Sequence, residues 1–331
     1  MKTKKIVLSV LFLSLLLCDF YGLQIKTERQ VDDHTVDILF VSPSILKNRI
    51  GDTSDGSIRV ILPPSYASSD KRYPVIYFLH GYGDSIYQMS GYYSVLSDAF
   101  KAGNAGEFII VNVNGTNRLG GSFYDNSPVT GNWRDFVVKE AVPLVDSKFR
   151  TRADRASRGI AGFSMGGYGA LNIAFLHPAV FGALWVHAPG LLKGGDLPLM
   201  LGQWNSSIRK AYASVYSYNL KNKDNYAVVP AMDGSGADAQ IIAAWYSGFG
   251  DIPEKVSAYL RQKNRLVGIS LNYGSSDMYP WLVKGTQELD AELTAKAVPH
   301  TLRVWDGGHT FGASQVIDGM LPFFSGVLKG N

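Results

Sequence analysis

Four stretches of the chain are apolar almost throughout, instead of on alternate positions: "YPVIYFLHGYGD", "EFIIVNVNG", "SRGIAGF" and "VFGALWVHAPG". A strand without a polar face belongs inside a sheet covered on both sides. After the first three runs the pattern changes to helical spacing, in "YQMSGYYSVLSDAFKAG", "NWRDFVVKEAVPLVDSKF" and "MGGYGALNIAFLH". Strands alternating with helices imply a mostly parallel central sheet with helices on both faces. In such α/β sheets ligands sit beyond the carboxyl ends of the strands. Along "NWRDFVVKEAVPLVDSKF", Trp133, Phe136, Val137, Ala141, Leu144 and Val145 fall near one helical face, and Pro143 is expected to kink the helix.

Two segments flank this pattern. "TVDILFVS" and "SIRVILPPSY" read as early antiparallel strands, the second closed by Pro63 and Pro64. From about Leu191 to Arg261 the alternation breaks into a stretch rich in Tyr, Asn, Ser and Gly, too long for a simple loop. An irregular cap inserted over the site at about 191–261 is the expectation. Trp204, Tyr212, Tyr216, Tyr218, Trp245 and Tyr246 make it aromatic, which suits planar or apolar groups but also an ordinary core. Alternation resumes in "NRLVGISLNYGSSD", "YPWLVKGTQELDAELTAKA" and "HTLRVWDGGHTF", and "ASQVIDGMLPFFSGVL" closes the chain as a helix.

The N-terminus, "MKTKKIVLSVLFLSLLLCDFYGLQ", sets three lysines before an apolar run from Ile6 to Leu17. About twelve residues is short for a bilayer span and suits the apolar core of a signal peptide. Residues 1–22 therefore read as an export signal, with residues 23–331 as one domain. Alternatively Cys18, the only cysteine, ends a lipoprotein signal, and the lipid would then be the only membrane contact. Both readings expect a secreted or periplasmic protein without disulfides. A formal net charge of +4 with no basic run beyond the start argues against nucleic acid as a partner. "VDDH" near Asp32 lacks companion ligands and reads as a solvated turn, so neither a metal nor a cofactor is expected.

The sharpest local signal is "GFSMG", Gly162 to Gly166, followed at once by Gly167. A G-x-S-x-G pattern is common by itself. Here it joins an apolar strand to a helix, the setting of a nucleophile elbow that lifts Ser164 above the sheet on a strained turn. Ser164 would also begin a helix, where backbone N–H groups meet developing negative charge.

A serine hydroxyl attacks only when a base takes its proton. Of six histidines, His34, His80, His177, His187 and His300 read as surface, loop-packing, cap or strand-end residues. His309, in a glycine loop after the last strand, can reach over the elbow. The carboxylate that holds the base lies, in the usual chain order, between serine and histidine. Asp277 in "NYGSSDMYPW" is favoured, with Asp306 and Asp251 as rivals. The Met165 N–H and the Tyr82 N–H are the expected oxyanion donors, with Gly81 letting the "LHGYGD" backbone approach the substrate.

Together with "ILPPSYASSDKRYPVIYFLHGYGD" and "DGGHTF", these stretches resemble the esterase D-like branch of the α/β-hydrolases from about Ser57 onward. That branch contains S-formylglutathione hydrolases, feruloyl and acetylxylan esterases and mycolyltransferases. The resemblance implies an α/β-hydrolase fold, Ser164, Asp277 and His309 as a triad, and Tyr82 and Met165 at the oxyanion hole. "GSFYDNS" resembles a loop near the acyl site of the mycolyltransferase-like members, which would set Ser122, Phe123 and Tyr124 beside the pocket. The segment after Gly190 aligns with no shared feature, and no cysteines flank the site, which argues against a glutathione ester. The expected activity is hydrolysis of small-molecule or carbohydrate-linked acyl esters of short to medium length. The alternatives are an acyltransferase with the same triad and a non-catalytic binding protein on the same fold.

Overall fold

The computed structural model describes residues 23–103 and 105–328, so the expected export signal and Cys18 lie outside the described residues. The chain begins with three strands, β1 (Ile25–Asp32), β2 (Thr35–Val41) and β3 (Asp55–Ile61). It continues through β4 (Val75–Leu79), helix α1 (Tyr93–Lys101) and β5 (Ile109–Val113). The two-residue strands β6 (Asn126–Ser127) and β7 (Gly131–Asn132) form a small hairpin of their own. Helical turns α2 (Trp133–Asp135) and α3 (Val142–Lys148) lead to β8 (Arg158–Phe163), α4 (Met165–Leu176) and β9 (Ala183–His187). Four helices follow: α5 (Leu197–Gln203), α6 (Ser206–Tyr216), α7 (Gly236–Phe249) and α8 (Ile252–Leu260). The chain closes with β10 (Gly268–Gly274), α9 (Pro280–Ala295), β11 (Thr301–Trp305), α10 (Ala313–Gln315) and α11 (Leu321–Val327).

The main sheet runs in the order β1-β2-β3-β5-β4-β8-β9-β10-β11. The first three strands and β5 pair antiparallel, and every pair from β5 to β11 is parallel. Every residue of β4, β5, β8 and β9 is buried, as uninterrupted apolar runs require. Register aligns the carboxyl ends: Leu79 faces Gly162, Phe163 faces His187, and His187 faces Asn272. The loops after β4, β8, β9 and β10 therefore leave the sheet at one edge.

Two expectations needed revision. The stretch read as irregular at about 191–261 is largely helical in α5 to α8. Its helix signals are short-range caps rather than a long apolar period. Asn205 accepts from the Ser207 and Ile208 amides, and Ser235 accepts from the Asp238 amide. Strand β1 was not anticipated: "IKTERQVD" is exposed at every residue but the first, so this edge strand carries no apolar face to betray it. The expected disturbance at Pro143 takes a specific form. Phe136–Ala141 is a π-turn in which the Val142 N–H bonds back to Val137, five residues away. Widening the helix just ahead of the proline relieves the clash between its ring and the preceding turn. The same device, over Val316–Met320, precedes Pro322 in α11.

Candidate active site

The corner after β8 holds Ser164 at φ 56° and ψ −116°, a conformation strained for any residue with a Cβ. The residues two before it and two and three after it are glycine because a side chain there has no room. A Cβ on Gly162 would lie 2.1 Å from the Gly166 carbonyl oxygen, and one on Gly166 would lie 2.0 Å from that of Leu79. On Gly167 it would press the Pro189 Cα at 3.0 Å. Helix α4 thus lies directly against β4 and β8, and the turn points the serine hydroxyl into open space above them.

Two loops build a chain of contacts to that hydroxyl. His309, on the loop between β11 and α10, has its Nε2 2.9 Å from Ser164 Oγ. Its Nδ1 is 2.8 Å from Asp277 Oδ2, on the loop after β10. The Asp277 side chain is wholly shielded from solvent, while 13% of His309's is exposed. The other Asp277 oxygen accepts the Tyr279 N–H at 2.9 Å, so a fixed carboxylate faces the imidazole. The acid and base loops are also stitched together. The Ser275 and Ser276 amides donate to the Trp305 and Gly307 carbonyls at 2.8 and 2.9 Å. Rings of Phe163 and Tyr279, each with its centroid 4.9 Å from that of His309, confine the imidazole. Of the rival acids, Asp306 is exposed and Asp251 precedes α8 at φ 49°; neither is bonded to His309.

Met165 opens α4 directly after Ser164, and Tyr82 lines the same cavity. Among the described residues, neither the Met165 N–H, first in α4, nor the Tyr82 N–H is bonded to a protein acceptor. Gly81 packs against Phe163, with space for a Cβ only 3.3 Å from that ring. His80 supports the loop as a neutral ring. Its Nε2 accepts the Gly115 N–H at 2.9 Å, so Nδ1 carries the hydrogen donated to the Gly81 carbonyl at 2.8 Å. Burial pushes the His80 pKa down from its ordinary value.

A cavity of about 200 Å³ opens over Ser164, His309, Gly81, Tyr82 and Met165. Of the three residues expected from the "GSFYDNS" loop, Phe123 alone lines it. Ser122 and Tyr124 are fully buried behind the cavity and brace the backbone. The Tyr124 hydroxyl accepts the His80 N–H at 3.0 Å and donates to the Val113 carbonyl at 3.1 Å, and Ser122 Oγ accepts the Tyr124 N–H. Left-handed backbone at Phe123 and Tyr124 aims their side chains differently from a regular loop. Trp204, Phe249, Tyr279 and Trp281 complete an aromatic wall, and Asp84 and Gln88 give a polar margin. Of the aromatic residues singled out in the 191–261 segment, only Trp204 reaches the cavity; Tyr212 and Trp245 are core. Sequence gave no signal for Phe249 or Trp281 because their placement depends on how α7 and α9 pack. Among the described residues no cluster of three His, Cys, Asp or Glu side chains could hold a metal ion, and no helix is long and apolar enough to cross a membrane.

The remaining histidines are accounted for by packing. His34 stacks on Tyr93, His177 ends α4, and His300 pairs with Asp290 at 2.9 Å. His187 was read as an ordinary strand-end residue, yet its Nε2 reaches the Thr310 carbonyl oxygen at 2.9 Å, one residue beyond His309.

This chain belongs to the esterase family described as "Putative esterase", which it matches over residues 53–316. Esterase Rv1288 of Mycobacterium tuberculosis is 28% identical over 265 residues, which are 77% of this chain and 52% of that protein. The chain therefore spans about half the length of that relative. An endo-1,4-beta-xylanase/feruloyl esterase of Xylanibacter ruminicola is 33% identical over 145 residues, 41% of this chain and 19% of the relative. Among solved structures, a ferulic acid esterase superposes with a TM-score of 0.60 at 22% identity, covering 89% of this chain and 98% of its own. An S-formylglutathione hydrolase from Agrobacterium tumefaciens gives 0.60 at 16% identity, covering 92% and 100%. The fold is that of the α/β-hydrolases.

Proposed function

We propose that the protein is a serine carboxylesterase that works through an acyl-enzyme. The observation that carries this reading is the unbroken line from Ser164 Oγ through His309 to the buried Asp277, with contacts of 2.9 and 2.8 Å. His309 takes the Ser164 proton as Oγ attacks the ester carbonyl. The oxygen that becomes negative is met by the Tyr82 and Met165 N–H groups, which need no reorganisation to receive it. The imidazolium, stabilised by Asp277, then protonates the leaving alcohol. Water then attacks the acyl carbonyl as His309 takes its proton; the acyl–Oγ bond breaks, His309 returns the proton to Ser164 Oγ, and the acid leaves. An uncommitted pair of amides beside a strained serine suits this chemistry better than passive binding.

The cavity suits one modest acyl group, since drug-sized pockets run from about 300 Å³ upward. Its aromatic wall favours planar or branched apolar acids, and the feruloyl esterases among the relatives support aromatic acyl groups as the first to try. The test is labelling with a fluorophosphonate probe, comparing the native chain with Ser164→Ala, alongside hydrolysis of an ester panel from acetyl to feruloyl. Labelling and turnover that both vanish in Ser164→Ala are expected. A native chain that neither labels nor hydrolyses any ester would refute the assignment.

A further inference from the structure

His187 is fully buried at the end of β9, and its main chain and side chain face different halves of the site. Its carbonyl oxygen accepts the Ser164 N–H at 3.0 Å. Its imidazole Nε2 lies 2.9 Å from the Thr310 carbonyl oxygen. A carbonyl only accepts, so Nε2 carries the hydrogen. The ring cannot swing away: Phe163 and Trp185 stack on it at interplanar angles of 22° and 18°, and Phe311 closes a further side. Pairing of His187 with both Phe163 and Asn272 fixes the residue between β8 and β10.

The loop it touches needs an outside anchor. Gly307 has a φ of 120°, Gly308 follows it, and β11 before them is an edge strand with three of its five residues exposed. His309 itself is bonded to Ser164 and Asp277, the two partners whose bonds to it change during the proposed reaction. Beyond His309, two side chains from elsewhere among the described residues hold the main chain: His187 on Thr310, and Tyr92 on Phe311 at 3.2 Å. Of the two, His187 alone is also bonded to the nucleophile residue.

We propose that His187 is a positioning residue, which spans the gap between Ser164 and the Thr310 carbonyl and so sets the distance from His309 to the serine oxygen. This rests on the hydrolytic reading above. Burial pushes the His187 pKa down to about 4, opposed by its bond to the Thr310 carbonyl and by Asp277 and helped by the neighbouring His309, so an uncharged donor is present at neutral pH. An apolar ring there would fill the space between Phe163, Trp185 and Phe311 but leave the Thr310 carbonyl unheld. The base loop would then be held by the Ser276 amide on Gly307 and by Tyr92 on Phe311, with neither hold tied to the Ser164 backbone.

The experiment compares His187→Phe, which keeps a ring and removes the donor, with His187→Gln, which keeps an N–H at similar reach and removes the ring. Hydrolysis of p-nitrophenyl acetate, the rate of fluorophosphonate labelling and thermal melting are measured for each. Because a misplacement of 1 Å can cost about 100-fold in rate, His187→Phe is expected to lose about 10- to 100-fold in kcat and in labelling rate. KM should hardly change, and His187→Gln should recover most of the loss. Where His187→Phe does not fold, His187→Leu, smaller and without a donor, carries the same expectation. Native kcat in the donor-free variant overturns the proposal. So does equal loss in His187→Gln, which would assign the effect to ring packing. Absence of Ser164-dependent labelling in the native chain instead defeats the hydrolase reading itself.

Discussion

Asp277→Asn separates the role of charge and orientation from that of packing. The two residues have the same shape, and the native side chain is wholly shielded from solvent. Its two oxygens have different duties: one accepts the Tyr279 N–H at 2.9 Å and the other faces His309 Nδ1 at 2.8 Å. An asparagine keeps one acceptor and gains an NH2 group. Facing its oxygen to Tyr279 satisfies the backbone and turns the NH2 group toward Nδ1. The imidazole must then become the Nε2–H tautomer, which cannot take the serine proton. Facing the oxygen to His309 instead sets NH2 against N–H at Tyr279, leaving a buried donor unpaired at a cost of about 1–3 kcal/mol. The first arrangement should prevail, and a serine enzyme with its base in the wrong tautomer loses about 10⁴-fold in kcat. Steady-state hydrolysis of p-nitrophenyl acetate at pH 7.5 measures the loss, with a thermal melt to show that the variant is folded. A variant retaining more than about a tenth of the native kcat would mean that the carboxylate does not set the tautomer of His309.

Gly166→Ala should damage both stability and rate. Its methyl would stand 2.0 Å from the Leu79 carbonyl oxygen, so α4 must retreat from β4 and carry the Met165 amide with it. A melting point lowered by an overpacking cost of about 1–3 kcal/mol and a fall in kcat are expected; a native melting curve would contradict the close approach. Acid should weaken the fold through His187. Its folded pKa, about 4, lies below the ordinary 6.5, so between those values the unfolded chain binds a proton that the folded one refuses. The stabilisation is therefore complete above pH 6.5 and lost as pH falls toward 4, by about 3 kcal/mol in all. Urea midpoints measured from pH 7.5 to 4.5 should fall less steeply in His187→Gln than in the native chain, and parallel curves would reject the account.

The central strands and the elbow were readable because each follows from a local constraint. Buried strands such as "VIYFL" show no polar face, and the corner at Ser164 leaves no room for a Cβ at Gly162 or Gly166. Chain order and loop position put Asp277 and His309 forward, and the fold brings their side chains within bonding distance of each other. What stayed hidden depends on assembly. Helices α5 to α8 are 7 to 14 residues long, and only α6 and α7 begin at a side-chain cap, so composition disguised them as loop. Strand β1 is polar because it lies at an open edge. Ser122 and Tyr124 could not be sorted from Phe123, because which of three adjacent side chains meets the cavity depends on the left-handed backbone at Phe123 and Tyr124. His187 resembled any histidine ending a strand until Thr310 came into view.

Serine and histidine of the site come from very different neighbourhoods of one sheet. Strand β8, which presents the serine, has partners on either side, whereas β11, which leads to the histidine, leans on β10 alone. Edges fray before centres do. Warming should therefore silence turnover some degrees below the collapse of the core, and cooling should bring it back, as a clasp reopens and snaps shut on an unbroken frame.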